Sequence, residues 1–410
     1  YSKPDYTSLM VDDMEIIISV YSPTGKYTAK QITPNMENMM KAQKRFLGPI
    51  NSTKKYAILL YLSDMKAKDA KGFGALEHPT STTVVMPEMM GLEMLQEQLK
   101  DVVSHEFFHI VTPLTVHSNE IQYFDFNKPE MSEHLWMYEG VTEYFANLFQ
   151  VNQGLIDEKE FYERMAGKIA QSRQMNDNMS FTKMSKNVLN APYKDQYLNV
   201  YQKGALIAMC IDIQIRESSN GKKGILNLMQ DLANEYGTKK AFKDEELFGK
   251  ITELTYPEVG AFLDKYVAGE TPIPYEQYFA KMGVTEATIE VVGNPFLKGQ
   301  TQPYITVDPN TKEIMILPEI ELNSFMTTLG LKNNDKIIAI NDKAYNLDNI
   351  YDMIMASMNW KDGEAISVKI KRDGKEQTIK GKIVMPKEKQ DGYQSTDESK
   401  KAVREAWLRG

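Results

Sequence analysis

The chain has 410 residues, 42% of them hydrophobic and 25% charged, with a formal net charge of -8. That length exceeds what one hydrophobic core organises and predicts two or three domains. The mildly acidic balance includes no basic tract able to follow a phosphate backbone, which excludes nucleic acid as a partner, and no run of 18 apolar residues is present to span a bilayer.

In chain order, residues 14–22 read as a strand that ends at Pro23-Thr24-Gly25, and residues 35–47 have helical spacing before Gly48-Pro49. The nearly continuous apolar run 56–62 predicts a strand buried on both faces, and 82–86 another strand closed by Pro87. From 91 to 111 Leu92, Leu95, Leu99, Val102, Val103 and Phe107 fall near one helical stripe, which Pro113 ends. Residues 132–152 are predicted helical with Ser132 as N-cap, and 201–217 and 224–236 follow as helices. The single cysteine, Cys210, excludes an intrachain disulfide and lies in the apolar run 205–211, where it is expected as a small buried hydrophobe.

After Gly283 the character changes to strand-like segments at 314–317 and 336–340 and a helical stretch at 347–358. The alternation Ile366, Val368, Ile370 then passes through Asp373-Gly374 into 378–384, a hairpin signature. The predicted organisation is the end of a β-rich region at 1–30, a main domain at 31–285, a small β-rich domain at 300–387 and a charged tail at 388–410. The sequence begins at Tyr1 without a methionine. A chain relieved of a leader peptide and one merely trimmed would look alike, and the expectation is export to the periplasm or cell envelope.

The chemistry concentrates at His105-Glu106-Phe107-Phe108-His109. Two histidines four apart on a helix differ by about 40° around the axis, so both imidazoles reach one ion. Glu106 beside them has the placement of a general base toward a water. A catalytic zinc needs a third protein ligand and an open position. Glu139, thirty positions after His109, is the candidate, with Glu143 one turn further as a rival or as a group orienting a histidine. His117 and His134 fall at no ligand spacing and are expected to be structural. The longer pattern with Gly and His at positions 112 and 115 is excluded by Thr112 and Thr115.

With these residues placed, the chain resembles the glycyl aminopeptidase family of gluzincin zinc peptidases, relatives of aminopeptidase N that often carry a PDZ domain. The resemblance rests on His105 to His109 and on Leu135-Trp136-Met137-Tyr138-Glu139-Gly140-Val141-Thr142-Glu143-Tyr144. It implies an α+β, thermolysin-like catalytic domain with a mixed-sheet lobe and a helical lobe, followed by a PDZ-like domain. It also implies Zn2+ held by His105, His109 and Glu139. Gly74-Ala75-Leu76-Glu77-His78 resembles the segment by which the family grips the substrate, which implies that Gly74 and Ala75 line the peptide and Glu77 holds its free α-amino group. Tyr201-Gln202-Lys203-Gly204-Ala205 resembles a segment whose tyrosine donates to the oxyanion. Gly330 to Asn341 resembles a PDZ core, with Asn334 where glycine is usual and no glycine-rich carboxylate loop before Ile314.

The expected activity is removal of N-terminal residues, small ones such as Gly or Ala, from peptides with a free N-terminus. A peptide or protein partner is expected at the PDZ-like domain. The alternatives are a thermolysin-like endopeptidase and a non-catalytic peptide-binding scaffold.

Overall fold

The computed structural model describes residues 5–410 except 51, 52, 65, 66, 69, 71, 300 and 301, so residues 1–4 of the expected N-terminal region lie outside the described residues. Five strands, β1 (Asp5–Val11), β2 (Met14–Tyr21), β3 (Lys55–Ser63), β4 (Gly74–His78) and β5 (Ser81–Pro87), form a sheet in the order β1-β2-β3-β5-β4. The central three run parallel, while β1 and β4 pair antiparallel at the two edges. The strands of residues 5–21 are thus part of the same sheet as the rest of this region.

Side chains alternate across a sheet, and the buried set Ile16, Ile18, Tyr56, Ile58, Leu60, Thr82 and Val84 occupies one face. The expectation of a strand buried on both faces at 56–62 is corrected here. Leu59 is exposed, and Ala57 and Tyr61 are only partly covered, and on that side Tyr61 stacks on Tyr21 at 4.8 Å.

Two helices, α1 (Ala29–Leu47) and α2 (Leu92–Phe108), belong to the same core. α1 begins six residues before its predicted start, because Thr28 and Gln31 form a capping box and Pro34 is accommodated inside the helix. The helical region continues with α3 (Asn119–Gln122), α4 (Thr142–Asn152), α5 (Glu158–Arg173), α6 (Phe181–Lys186) and α7 (Asn199–Ser218). α7 is buried over most of its length, Cys210 included. The predicted helix from Ser132 starts later. Ser132 donates to Asp244 Oδ1 at 2.7 Å instead of capping, and residues Trp136–Val141 form a π-helical turn that leads into α4.

The chain divides into two units, one reaching Glu286 and resuming at Gly392–Gly410, the other Ala287–Asp391. Residues 388–410, expected as a charged tail, are instead ordered secondary structure. A strand Lys387–Ser395 pairs with Val284–Val292, and a helix Lys401–Arg409 follows. That helix buries Trp407 and Leu408, and Trp407 Nε1 donates to the Tyr144 hydroxyl at 2.8 Å. Arg404 is buried beside Trp407 and Leu408 and donates to the Met282 and Asp397 carbonyls, while Lys401, Glu405 and Arg409 lie outward.

The second unit has its own core, formed by Ile314, Ile316, Phe325, Ile337, Val368 and Ile370. Its antiparallel strands run in the order Lys375–Lys382, Ala365–Arg372, Lys336–Ile340, Ile314–Ile316, Ile305–Val307. Asp335, buried, accepts from Arg372 Nε at 2.7 Å and from Lys332 N at 2.7 Å. Asn334 has φ +67°, the left-handed region that glycine adopts freely and that asparagine tolerates better than most residues.

Candidate metal centre

The last turn of α2 carries His105 and Glu106, and His109 caps it. Phe107 and Phe108 anchor that turn from behind. Phe107 meets Tyr56 edge-on at 5.0 Å, and Phe108 meets Phe46, Phe145 and Phe149 at 5.5–5.7 Å. The opposite face therefore presents the two imidazoles, which are 8% and 2% exposed.

Each histidine has one ring nitrogen already engaged. His105 Nδ1 lies 2.9 Å from Glu143 Oε2, and His109 Nδ1 lies 3.1 Å from the Thr112 carbonyl oxygen. Both partners are acceptors, so Nδ1 is the donor in each ring, and a metal would take the His105 Nε2 in place of its contact with Glu139. The two Nε2 atoms converge on Glu139 Oε2, at 3.2 Å from His105 and 3.7 Å from His109. One ligand atom from each of His105, His109 and Glu139 lies within 4.8 Å of the others. This spacing and donor set fit a tetrahedral zinc with one position left open.

The electrostatics favour a cation. Burial works against charge on His105, but Glu139 and Glu143 overcome it and hold the imidazole up at about 10. Burial would raise Glu139, yet His105 and His109 keep it below the usual carboxylate range. Burial likewise acts on Glu143, but Lys168 and His105 hold it down at about 2. Lys168 Nζ donates to Glu143 Oε1 at 2.6 Å, so Glu143 spans the lysine and the His105 ring and does not turn toward the metal position. Glu106, 7% exposed, is pushed up to about 7 by burial, with His105 opposing and Glu77 and Glu139 reinforcing.

Glu139 owes its placement to the π turn and to a glycine contact. A Cβ on Gly140 would fall on the Gly204 carbonyl group, and one on Gly204 would lie 2.9 Å from the Gly140 Cα. Only two glycines let these backbones touch, and the contact sets Glu139 and Tyr201 across from each other. The Tyr201 ring stands 5.6 Å from the His105 ring, and its hydroxyl is 3.1 Å from that of Tyr197. Burial first, then Glu139, pushes the Tyr201 phenol well above its ordinary value, so it stays a donor.

The edge strand β4 completes the arrangement. Ala75 and Glu77 are partly buried while Gly74, Leu76 and His78 are exposed. Glu77 pairs with Thr82, which pairs with Ile58, so its side chain shares the face of the sheet that packs on α2. Ligand atoms of Glu77, Glu106 and His109 also lie within 4.8 Å of one another. The structure thus brings His105, Glu106, His109, Glu139, Glu77 and Tyr201 into one cleft, with Gly74 and Ala75 along its edge strand.

His117 and His134 stand apart from it. His117 bonds the Pro113 carbonyl and Gln122, and His134 the Asp244 carbonyl. Sequence reasoning did not reach Lys168, Thr112, Tyr197 or Tyr56. No local spacing announces them, and the one available signal for Lys168 is a lysine on the otherwise buried stripe Tyr162, Met165, Ile169 of α5.

The family profile of the M61 glycyl aminopeptidases matches residues 98–207. No curated protein matches the chain. Among solved structures, the chain is similar to an aminopeptidase N family protein from Idiomarina loihiensis, at 19% identity and TM-score 0.63. That match covers 99% of this chain and 71% of the other. An M1 zinc metallopeptidase from Deinococcus radiodurans also aligns, at 13% identity and TM-score 0.43, over 67% of this chain and 53% of that one. The first likeness extends over both units and is one of fold.

Proposed function

We propose, for a chain whose metal centre lies in a region of the M61 glycyl aminopeptidase family, that it removes single residues from the free N-terminus of peptides on a thermolysin-like catalytic fold. The observation that carries this reading is Glu77. In an amino acid the α-nitrogen lies about 2.5 Å from its own carbonyl carbon. A carboxylate that holds an ammonium at hydrogen-bond distance therefore sits about 5 Å from the bond to be cut. Glu77 places a carboxylate oxygen within 4.8 Å of ligand atoms of Glu106 and His109, on the side of the site where such an ammonium would lie. An anion there favours a charged N-terminus and leaves no partner for an acylated one.

Zinc, when bound by His105, His109 and Glu139, supplies a Lewis acid that polarises the scissile carbonyl and acidifies water. Glu106 takes a proton from the attacking water and returns it to the leaving amine. Burial raises the Glu106 carboxyl above the usual carboxylate range, which favours its taking up a proton. Tyr201 keeps its proton and donates to the oxygen that gains charge. Gly74 and Ala75 offer the β4 backbone to the first residues of the peptide, and a preference for a small first residue such as Gly or Ala follows from the family resemblance.

The second unit reads as a PDZ-like domain able to bind a peptide or protein partner. Support comes from its antiparallel strand order, its helices Ser324–Leu329 and Ile350–Ser357, the left-handed Asn334 and the pairing of buried Asp335 with the half-buried Arg372.

The test compares Gly- and Ala-p-nitroanilide with their N-acetylated forms on the zinc-loaded protein, with Glu106→Gln as control. Cleavage of the free-amine substrates alone, lost in the control, is expected. Equal cleavage of blocked substrates would replace the exopeptidase reading with an endopeptidase.

A further inference from the structure

Tyr56 is the second residue of β3, fully buried, with its ring edge-on to Phe107, the residue that follows Glu106. Among the described residues its hydroxyl has no hydrogen-bond partner, and neither has Glu106 Oε2, although both atoms are shielded from solvent. A buried phenol left unpaired is a net cost to folding that phenylalanine would not carry. The hydroxyl is also not remote from the chemistry. After burial, the charges that act on it are those of Glu106 and then Glu77, and both raise the phenol. Tyr56 and Ile58 lie on the same face of β3, and Ile58 aligns through Thr82 with Glu77, so all of these side chains face α2.

A neutral phenol is a donor and an ionised carboxylate accepts only. Of the two carboxylates, Glu106 has the unsatisfied buried oxygen, whereas Glu77 is only partly buried. We propose that Tyr56 is a positioning residue for Glu106, its hydroxyl donating to Oε2 through one bridging water. The bridge fixes the carboxylate plane and leaves the other oxygen to handle the proton. This rests on Glu106 being the general base. It adds a residue from the centre of the sheet, one strand removed from β5 and two from β4, to a site otherwise built from helices and the sheet edge.

The experiment is Tyr56→Phe in the full zinc-loaded chain, which removes one oxygen and keeps the ring against Phe107. The expected result on Gly-p-nitroanilide is a fall in kcat of about tenfold or more. KM and bound zinc should stay within about twofold of wild type, a split that loss of packing or metal would not produce. An unchanged kcat, or a fall that follows lost zinc, overturns the proposal.

A second arm needs no turnover and so stays decisive if the aminopeptidase reading itself fails. Thermal midpoints are measured for Tyr56→Phe, Glu106→Gln and the double variant. Non-additive shifts are expected of two groups that share a bridging water. An idle hydroxyl would give the same rise in both backgrounds and overturn the proposal.

Discussion

His105 is held from both sides, Nδ1 by Glu143 and Nε2 toward Glu139. Glu143 is in turn held by Lys168. Replacing Glu143 by Gln keeps the shape but weakens the acceptor, and a fall in zinc affinity of about 10–100-fold is expected, read by competition with a chelator. Lys168→Met should act in the same direction, because it leaves Glu143 partly buried without its cation. The glycine contact is less forgiving. Gly204→Ala places a methyl 2.9 Å from the Gly140 Cα, a backbone atom that cannot swing aside. The expected loss is at or above the upper end of the ~1–3 kcal/mol typical of overpacking, seen as a lowered Tm together with reduced zinc binding. Much of this centre was legible in the sequence. Two histidines four apart and a later Glu-Gly mark ligand geometry because a helix converts spacing into direction. Lys168 was not legible, since its partner is 25 positions away on another helix and only packing brings them together.

Among elements, the π turn at Trp136–Val141 and the C-terminal helix differ most from their sequence expectations. Periodicity read 132–152 as a regular helix. A single wide turn leaves the apolar pattern almost unchanged, yet it rotates Glu139 toward the histidines. Residues 401–409 were masked by their charges, although Val403, Trp407 and Leu408 follow helical spacing. The bond from Trp407 to Tyr144 continues to Asp212, to which the Tyr144 hydroxyl donates at 2.8 Å. Trp407→Phe should therefore cost about 1–3 kcal/mol through the lost bond and volume. For a unit of this size that is a fall in Tm of about 2–4 °C per kcal/mol, measured by calorimetry. The central strands β2, β3 and β5 were read more faithfully, because they are parallel and apolar along their buried face, whereas the edge strands β1 and β4 were not read as strands.

At the scale of the molecule, the second unit interrupts the first. Gly293 N donates to the Pro386 carbonyl at 2.8 Å, so the ends of that excursion already meet. Replacing residues 294–385 by a short turn should leave a folded first unit that still binds zinc and cleaves Gly-p-nitroanilide, with kcat/KM as the readout. Zinc should stabilise that unit by mass action. At free metal one hundred times Kd the gain is about 2.7 kcal/mol, and a chelator should lower the Tm by the corresponding amount. The boundary near 285 was visible as a change from helical to strand-like pattern. The return at Gly392 was not, because a polar strand and one charged amphipathic helix resemble a linker until their partners are known.

That return has a consequence for synthesis. A ribosome delivers His105, Glu106, His109, Glu139 and Tyr201 long before Trp407, yet the core around Tyr144 closes only when Trp407 arrives. The nascent chain must hold the helical region open to one missing side chain while more than a hundred further residues are made and the inserted unit folds on its own. Completion of the first unit is thereby tied to residues made after the second unit, so a chain stalled within the second unit carries every group of the proposed site and no finished core to support them.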